Sequence, residues 1–256
     1  MSYRAVEVLT SAALVIAEDT RHSRRLLDHY RIKTPLRSYH EHNEAKETPN
    51  LIARLRSGDS IALISDAGTP LISDPGSRLV AAAIAEKIPV VPIPGASSVM
   101  AALVGSGMSL ERFAFYGFLP RKGGERVAAI EEIVGSRSTV VIFEAANRVG
   151  TTLEDLVQAG AGDRAAVVAR ELTKQFEEFR RATVGELATT YADVDPKGEV
   201  VLVIAGAEKT VVSEKELTDA ARKLKASGKA PREIMNHLVS NMGAPRNLAY
   251  RLAHED

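Results

Sequence analysis

The sequence predicts an α/β protein with two α/β domains followed by a small helical tail. Short apolar runs alternate with helical segments from residue 13 to residue 205, and a stretch rich in Pro, Gly and charge, Leu119–Arg126, interrupts this alternation. Only helix signals follow residue 213. Alternating strands and helices build mostly parallel sheets covered by helices. We therefore predict an N-terminal α/β domain at 1–118, a C-terminal α/β domain at 124–208 and a helical tail at 213–256.

The first domain is predicted to contain three strands and four helices. Thr48 and Pro49 suit the N-cap and first position of a helix that ends before Gly58, because proline needs no N–H donor there. The predicted strands are Ala13–Ala17, Ser60–Ile64 and Pro89–Ile93, and the helices are Ser23–Tyr30, Pro49–Arg56, Ser77–Glu86 and Ser97–Val104.

The second domain repeats the pattern. Its predicted helices are Arg126–Val134 and Arg148–Ala159, and its strands are Ser138–Phe143, Ala165–Arg170, Glu177–Thr183 and Glu199–Ala205. The last of these reads EVVLVIA, a continuous apolar run typical of a buried strand.

The tail is predicted to form three helices, Lys215–Lys225, Pro231–Ser240 and Pro245–His254. Two segments repeat Ala-Pro-Arg, at 230–232 and 244–246, and Gly228 and Gly243 can end the preceding helices. This spacing suggests a small helical bundle or a helix-turn-helix unit. Seven Lys or Arg and one Glu lie between Arg222 and Arg251, which suits nucleic acid, although a solvated dimerisation or capping tail is an equal alternative.

The overall composition is that of an ordinary globular protein. The chain has 256 residues, 45% hydrophobic and 26% charged, with 33 basic and 33 acidic residues, so it is not uniformly polybasic. It has no Cys, and therefore no disulfide, thiolate nucleophile or Cys-based zinc site. No apolar run approaches the roughly 20 residues that span a bilayer, and the first residues lack a signal-peptide core. We expect a cytoplasmic protein without membrane contact.

Two strand ends carry glycine turns. The stretch ISDAGTPLISDPG, residues 64–76, follows one predicted strand, and PIPGASS, residues 92–98, follows the next. Loops at the carboxyl ends of neighbouring parallel strands lie side by side and form a ligand crevice. Asp66 is placed for a ligand's hydroxyl or amine, although turn chemistry alone also explains Asp, Pro and Gly. Neither loop matches a phosphate-binding pattern, so we expect a nucleoside ligand with few phosphates.

Several longer motifs together resemble the tetrapyrrole-methylase superfamily of S-adenosylmethionine (SAM) enzymes. They are IAEDTRHSRRLL (16–27), HEHNE (40–44), SDAGTPLISDPG (65–76), PIPGASS (92–98), GFLPRKG (117–123), FEAANR (143–148) and ARELTKQFEE (169–178). The resemblance covers nearly the whole chain. It is nearest to the branch that methylates the ribose 2′-O of a cytidine in 16S rRNA of the small ribosomal subunit.

The resemblance implies a homodimer that binds SAM in a cleft between two α/β domains of each protomer, and needs no metal. The implied SAM-binding residues are Asp66, Gly68, Thr69, Pro70, Ile72, Pro94, Gly95, Ser97, Ser98, Phe143 and Glu144. Family members open with a strand and loop resembling Thr-Pro-Ile-Gly-Asn-Leu-x-Asp, which this sequence does not contain. Residues 3–9 resemble the second half of the helix after that loop, so we expect the first sheet to lack this strand.

Two segments supply candidate catalytic groups for methyl transfer to a hydroxyl. Glu18 and Asp19 follow a strand end on the side of the glycine loops, with Asp19 the first candidate for a base or hydroxyl orienter. An acidic helix N-terminus is the equal alternative. Lys174 is a candidate to lower the hydroxyl pKa or to contact RNA, and Glu171 to orient it, unless they form an ordinary exposed loop.

The remaining polar motifs are weaker. His40 and His42 flank Glu41, but no third metal ligand is evident, so we expect no metal. The RNA-binding candidates are Arg21, His22, Arg121, Lys122, Arg148, Arg232 and Arg246, with Arg126 beside them. Surface solvation explains at least half of the cationic residues near the linker.

Three functions therefore remain open. The first is a SAM-dependent 2′-O-methyltransferase of 16S rRNA. The second is a methylase of a small acidic macrocycle, against which the basic tail argues. The third is a non-catalytic RNA-binding homologue, which only the missing first strand supports.

Overall fold

The computed structural model describes residues 1–208 and 213–254. The chain divides into two compact units, residues 1–205 and 206–256. The first unit contains two β-sheets and eight α-helices among its described elements, and the second contains three α-helices. Residues 255 and 256, the end of the predicted tail, lie outside the described residues. No described helix has the length and apolar composition that crossing a membrane requires.

The first sheet has three parallel strands, in the order β2-β1-β3. They are β1 (Leu14–Ala17), β2 (Leu36–Ser38) and β3 (Ile61–Ile64). All four residues of β1 are buried, which is why the strand reads as a continuous apolar run. The strand predictions at 13–17 and 60–64 are confirmed to within one residue. The short strand β2 has no alternating or apolar pattern and was not predicted.

Helices cover both faces of this sheet. Leu14 and Ile16 pack against α3 (Glu44–Arg56) and α4 (Ser77–Ala85), while Val15 packs against the other pair of helices. That pair consists of α1 (Tyr3–Ser11) and α2 (Thr20–His29). Successive strand residues point to opposite faces, so this strand supports two layers of helices.

Helix α3 begins four residues before its predicted N-cap. The Asn43 side chain accepts a hydrogen bond from the His40 amide and donates one to the Ser38 carbonyl, which starts the helix at Glu44. Thr48 is therefore not an N-cap: its hydroxyl donates to the Glu44 carbonyl at 2.6 Å. Pro49 lies inside the helix and not at its first position.

The strand predicted at Pro89–Ile93 does not form. Among the described residues β3 pairs only with β1, so this segment is not hydrogen-bonded to the first sheet as a further strand. Pro89 and Pro92 also lack the N–H that a ladder requires. Val90 and Val91 are 44% and 60% exposed, so these two apolar side chains do not join the core as residues of a buried strand would.

The second sheet has five strands, in the order β4-β5-β8-β6-β7. They are β4 (Phe113–Phe118), β5 (Thr139–Glu144), β6 (Ala165–Arg170), β7 (Glu178–Thr183) and β8 (Val200–Ile204). Only β4 and β5 are parallel, and the other three pairs are antiparallel. The prediction of a mostly parallel sheet is therefore wrong for this sheet. The seven-residue connection between β6 and β7 can join only antiparallel neighbours, because a parallel crossover needs a dozen residues or more.

Helices also cover both faces of the second sheet. Helix α5 (Ser98–Ser106) packs on one face, and α6 (Gly124–Gly135), α7 (Val149–Leu156) and α8 (Val184–Thr190) pack on the other. Helix α5 precedes β4 in the chain yet covers the second sheet, so the two halves share one compact unit. A domain border near residues 118–124 stays a prediction.

The second unit is a three-helix bundle with its own core. It consists of α9 (Glu214–Ala226), α10 (Pro231–Met242) and α11 (Arg246–His254), as the tail sequence predicts. Leu217, Ile234, Leu238 and Leu252 are buried together. Ser213 caps α9 through a capping box with Glu216, and Gly243 ends α10 in the left-handed region.

Candidate functional site

The main candidate site is a cavity of about 440 Å³ in the first unit, where the carboxyl ends of β3, β4 and β5 meet the N-terminus of α5. Its walls come from both sheets. The lining residues are Asp66, Ala67, Gly68, Thr69, Ile72, Ser73, Asp74, Ser97, Ser98, Val99, Phe118, Phe143, Glu144, Ala145, Leu172, Gly198, Glu199, Val200 and Val201. The volume lies within the range of small-molecule sites.

The two glycine loops form one side of this cavity and contact each other. The Thr69 hydroxyl donates a 2.9 Å hydrogen bond to the Ala96 carbonyl, so the loops lie side by side as the sequence predicts. Gly68 adopts φ +79°, a conformation that side chains disfavour, and its backbone approaches Ala96. Of the predicted SAM-binding residues, the structure brings Asp66, Gly68, Thr69, Ile72, Ser97, Ser98, Phe143 and Glu144 to this cavity, and it does not place Pro70, Pro94 or Gly95 in its lining.

The loop that follows β3 is fixed by close packing at its end. A Cβ on Gly76, whose φ is +126°, would lie 2.5 Å from the Leu63 Cδ2 atom. Leu71 and Ser73 also have positive φ, at 75° and 63°. Several residues in strained backbone regions cluster here, as they do at ligand-binding sites.

Carboxylates give one side of the cavity a negative charge. The Asp66 carboxylate accepts a hydrogen bond from the Asp19 amide at 3.2 Å. Burial raises the pKa of Asp74, and the neighbouring Asp66 and Glu199 raise it further. Burial, Asp66 and Asp74 likewise raise the pKa of Glu18. No Lys, Arg or His occurs among the residues that line the cavity, so the site favours a cationic ligand.

Asp19 acts locally as the N-cap of α2. Its carboxylate accepts a 2.8 Å hydrogen bond from the Arg21 amide and pairs with the Arg21 guanidinium at 3.1 Å. The Arg21 side-chain hydrogen bond lowers the pKa of Asp19 to about 2. A carboxylate with this pKa is a weak base at neutral pH. Its role in orienting a hydroxyl stays a prediction. Arg21 and His22 are exposed at the start of the same helix.

A buried polar network holds the end of β5. The Glu144 side chain is fully buried and accepts hydrogen bonds from the Ala145 amide at 2.8 Å, Arg148 Nε at 2.7 Å and the Thr152 hydroxyl at 2.6 Å. Arg126 donates in turn to Thr152 and Asp155. The sequence predicts that Arg126 and Arg148 belong to a basic rim for RNA, but both guanidiniums have hydrogen-bond partners inside the unit. The end of β5 is thus fixed beside the cavity.

Lys174 and Glu171 lie on the loop between β6 and β7, next to the cavity. Lys174 Nζ donates to the Glu171 carboxylate at 2.9 Å and to Glu199 at 3.1 Å. The hydrogen bond with Glu171 raises the pKa of Lys174, so the amine stays protonated. A Cβ at position 198 would overlap the Glu171 carboxylate, so glycine is the residue that fits there. The ion pair is therefore a fixed feature of the cavity rim, and its predicted catalytic use stays untested.

Sequence reasoning missed several lining residues. Phe118, Asp74 and Ser73 lie within motifs that were noted, but the motifs alone do not show which side chains face the cavity. Leu172 follows the carboxyl end of β6, and the segment Gly198–Val201 leads into β8. Both reach the cavity because β8 runs antiparallel to its two neighbours, β5 and β6, so its start lies at the edge where those strands end. The sequence signal that could have located this segment is Gly198, which stands directly before the apolar run of residues 199–205.

The other predicted site residues lie elsewhere. Arg121 and Lys122 are exposed between β4 and α6, and Arg232 and Arg246 are exposed at the starts of α10 and α11 in the second unit. His40 and His42 rings lie 5.9 Å apart. Across residues 1–208 and 213–254, no group of three His, Cys, Asp or Glu is placed to hold a metal ion.

These features define a methylase of the tetrapyrrole type. The family model described as Tetrapyrrole (Corrin/Porphyrin) Methylases matches residues 1–188, and the chain belongs to this family. The resemblance inferred from the motifs is thus confirmed.

Two relatives show which members of this family the chain is similar to. The chain is 43% identical over 258 residues to "Ribosomal RNA small subunit methyltransferase I" of Synechocystis sp., covering 100% of this chain and 92% of the relative. It is 49% identical over 209 residues to the protein of the same name from Mesorhizobium japonicum, covering 81% of this chain and 71% of the relative.

Solved structures show the same fold at lower identity. Diphthine synthase superposes with a TM-score of 0.60 at 17% identity, covering 80% of this chain and 84% of that structure. Uroporphyrin-III C-methyl transferase from Thermus thermophilus, complexed with S-adenyl homocysteine, gives a TM-score of 0.57 at 17% identity, covering 80% and 90%.

Proposed function

We propose that this chain is a SAM-dependent methyltransferase that methylates the ribose 2′-O of a cytidine in 16S rRNA. The observation that carries the proposal is the cavity of about 440 Å³, formed by two glycine loops and the end of β5 and lined by carboxylates without any Lys, Arg or His. The relatives named for small-subunit rRNA methylation support the choice of acceptor.

The residues of the cavity fit a donor with a sulfonium charge. Asp66 and Asp74 offer negative charge, and Gly68 exposes backbone groups without a side chain in the way. Phe143 supplies an apolar wall that packs at 4.9 Å from Phe115, measured between ring centroids. SAM supplies an electrophilic methyl group on a positively charged sulfur, so the protein's task is mainly to position the acceptor hydroxyl.

Of the two carboxylates that follow β1, Glu18 is the better suited to receive the hydroxyl proton; it does not line the cavity, but it interacts with Asp66 and Asp74, which do. Its raised pKa, caused by burial and by Asp66 and Asp74, makes it a stronger base than Asp19. Lys174, held protonated by Glu171, suits charge stabilisation of the hydroxyl oxygen or a contact with the RNA backbone. No group on the protein needs to form a covalent intermediate, because the methyl group moves directly from sulfur to oxygen.

The charge distribution of the chain supports an RNA substrate. Residues 1–205 contain 24 basic and 26 acidic residues, a net charge of −2, and residues 206–256 contain 9 and 7, a net charge of +2. Arg232 and Arg246 begin two helices of the basic unit, and Arg21, His22, Arg121 and Lys122 are exposed on the first unit. We propose that these residues contact RNA, each on its own unit, and we propose a cytoplasmic homodimer.

The test is methyl incorporation from labelled SAM. The purified chain is incubated with unmethylated 30S particles, with free 16S rRNA and with an acidic tetrapyrrole. We expect label in RNA and none in the tetrapyrrole, with the modified linkage resistant to alkaline hydrolysis because its 2′-hydroxyl is blocked. Label on a base, or on the tetrapyrrole alone, would contradict the proposal.

A further inference from the structure

A second cavity adjoins the first and is not needed for holding SAM. It has a volume of about 520 Å³ and is lined by Phe118, Leu119, Arg121, Ala145, Asn147 and Arg148. Phe118 and Ala145 line both cavities, so a molecule in the second would lie next to a molecule in the first. This is the arrangement that group transfer between two ligands requires.

The two cavities differ in charge. Asp66, Asp74, Glu144 and Glu199 line the first, without any basic residue. Glu144 is paired with Arg148 and Glu199 with Lys174, so Asp66 and Asp74 supply the negative charge of the first cavity. Arg121 and Arg148 line the second, without any acidic residue. The Arg148 guanidinium is already paired with Glu144. Arg121 is exposed and makes no hydrogen bond or ion pair with any residue that the structure describes. The second cavity therefore offers one uncompensated positive charge, which suits a phosphate.

Phe118 supplies a flat apolar surface on the border between the cavities. It is 56% exposed, although large aromatic side chains usually bury most of their surface. Its ring is held by Phe143, with ring centroids 5.6 Å apart and a tilt of 57°. A supported and exposed aromatic ring is the element on which proteins stack unpaired nucleic-acid bases.

Asn147 supplies hydrogen-bonding capacity beside this ring. It is exposed in the turn Ala146–Arg148, and its side-chain amide has no hydrogen-bond partner among the described residues. The turn itself is fixed, because the Arg148 guanidinium donates to Glu144 and to the Leu119 carbonyl. A side-chain amide held in place can both donate to and accept from the edge of a base.

We infer that the second cavity is the subsite for the target nucleotide of an RNA strand. The base stacks on Phe118, the Asn147 amide contacts its edge, and Arg121 binds an adjacent phosphate. The ribose then lies at the Phe118–Ala145 border, next to the first cavity. This inference rests on the proposed function, because it takes RNA as the acceptor.

The test measures RNA binding and SAM binding separately on the full chain. A fluorescent single-stranded fragment of 16S rRNA is titrated by anisotropy, and SAM is titrated by calorimetry. The variants are Phe118→Leu, Arg121→Ala and Asn147→Ala. We expect Phe118→Leu and Arg121→Ala each to weaken RNA binding about tenfold, in line with the loss of one stacked base or one phosphate contact. Arg121→Ala and Asn147→Ala leave SAM affinity unchanged, since neither residue lines the first cavity.

The salt dependence separates the two kinds of contact. Removing one phosphate contact lowers the slope of log affinity against log salt by about 0.7 for a single strand, so Arg121→Ala is expected to reduce this slope. Phe118→Leu is expected to leave it unchanged. A general loss of structure would not produce this difference.

Two matched controls lie at the opposite ends of the same strands. Phe113 is 45% exposed at the start of β4, and Arg137 is exposed just before β5. We expect Phe113→Leu and Arg137→Ala to bind RNA within twofold of the native chain. If the three variants bind RNA as tightly as the two controls do, the inference is wrong. If the variants lose RNA binding but the native chain transfers no methyl group to RNA, the subsite stands and the proposed methylation fails.

Discussion

The Thr69 hydroxyl donates a hydrogen bond to the Ala96 carbonyl at 2.9 Å and thereby joins the two glycine loops of the first unit. The two residues are 27 positions apart in the chain. One loop follows β3, and the other follows the apolar segment Pro89–Ile93. Their contact builds one wall of the cavity, while β5 and the segment before β8 build the other. Both sheets therefore contribute to one binding site.

Gly76→Ala is expected to destabilise the protein, because both its φ of +126° and the 2.5 Å approach of its Cβ to Leu63 disfavour a side chain. We expect a loss of about 1–3 kcal/mol in the free energy of unfolding, measured with urea. Gly58→Ala is the matched control, since Gly58 has φ +98° with no atom within 4 Å of the added Cβ. An equal loss in both variants would show that the Leu63 contact contributes nothing.

Glu144→Gln is expected to disrupt the network that fixes the end of β5. The Arg148 guanidinium would lose its buried charge partner, and breaking a buried pair costs about 3–5 kcal/mol. Urea unfolding measures this loss. The control is Glu86→Gln, which removes the exposed pair with Arg56 and should cost about 1 kcal/mol or less. Similar losses for the two variants would contradict the structural role given to the network.

SAM affinity is expected to fall on acidification. Burial, Asp66 and Glu199 raise the pKa of Asp74 above its ordinary value of 3.8, so it gains a proton in the folded protein at a higher pH than in the unfolded chain. Between pH 3.8 and the raised pKa of Asp74, the folded state binds more protons than the unfolded state. The free energy of unfolding of the ligand-free protein therefore rises as the pH falls through this range. A cationic ligand favours the charged carboxylate, so its affinity drops over the same window.

Asp74→Asn is expected to flatten this pH dependence and to stabilise the ligand-free protein at pH 7. Calorimetric titration of SAM at several pH values, together with urea unfolding, measures both effects. The hydrogen bonds from the Ser65 hydroxyl to the Ala67 and Gly68 carbonyls do not involve Asp74, and the Glu18 carboxylate is untouched in this variant. An unchanged pH profile in Asp74→Asn would assign the titration to Glu18 or to another group.

Deletion of residues 213–256 is expected to weaken RNA binding and to leave SAM affinity intact. The three helices of this unit have their own buried core, and the residues that line the cavity all belong to the first unit. The double variant Arg232→Ala/Arg246→Ala should lose part of the same RNA affinity without loss of structure, because both side chains are exposed. Unchanged RNA affinity in both proteins would give the tail another role.

Sequence reasoning predicted the strands and helices with strong local signals. The apolar run of β1, the start of α5 near Ser97 and the start of α10 at Pro231 were all predicted, because the determining residues lie within a few positions. The strand at Pro89–Ile93 was wrong because a strand depends on a partner that local sequence does not reveal. The antiparallel pairing of β8 was missed for the same reason.

The candidate site was predicted in part. The two glycine loops could be predicted because a loop at a strand end is visible in the sequence, and Phe143 because the family resemblance implies it. Phe143 and residues of both loops line the cavity. The protein partners of Arg126 and Arg148 could not be foreseen, since Glu144 and Asp155 are brought to them by the packing of α6, α7 and β5. Local sequence shows charge, but it does not show whether that charge is already neutralised.

Calorimetric titration of SAM into this chain, beside Asp66→Ala and the exposed control Asp193→Asn, tests the central claim most directly. We expect one SAM per chain, about tenfold or greater loss of SAM affinity in Asp66→Ala and none in Asp193→Asn, because Asp66 lines the cavity and a charged contact contributes about 1.5–3 kcal/mol. RNA affinity should change little in Asp66→Ala. Absence of SAM binding to the native chain, or equal loss of SAM and RNA affinity in Asp66→Ala, would contradict the account.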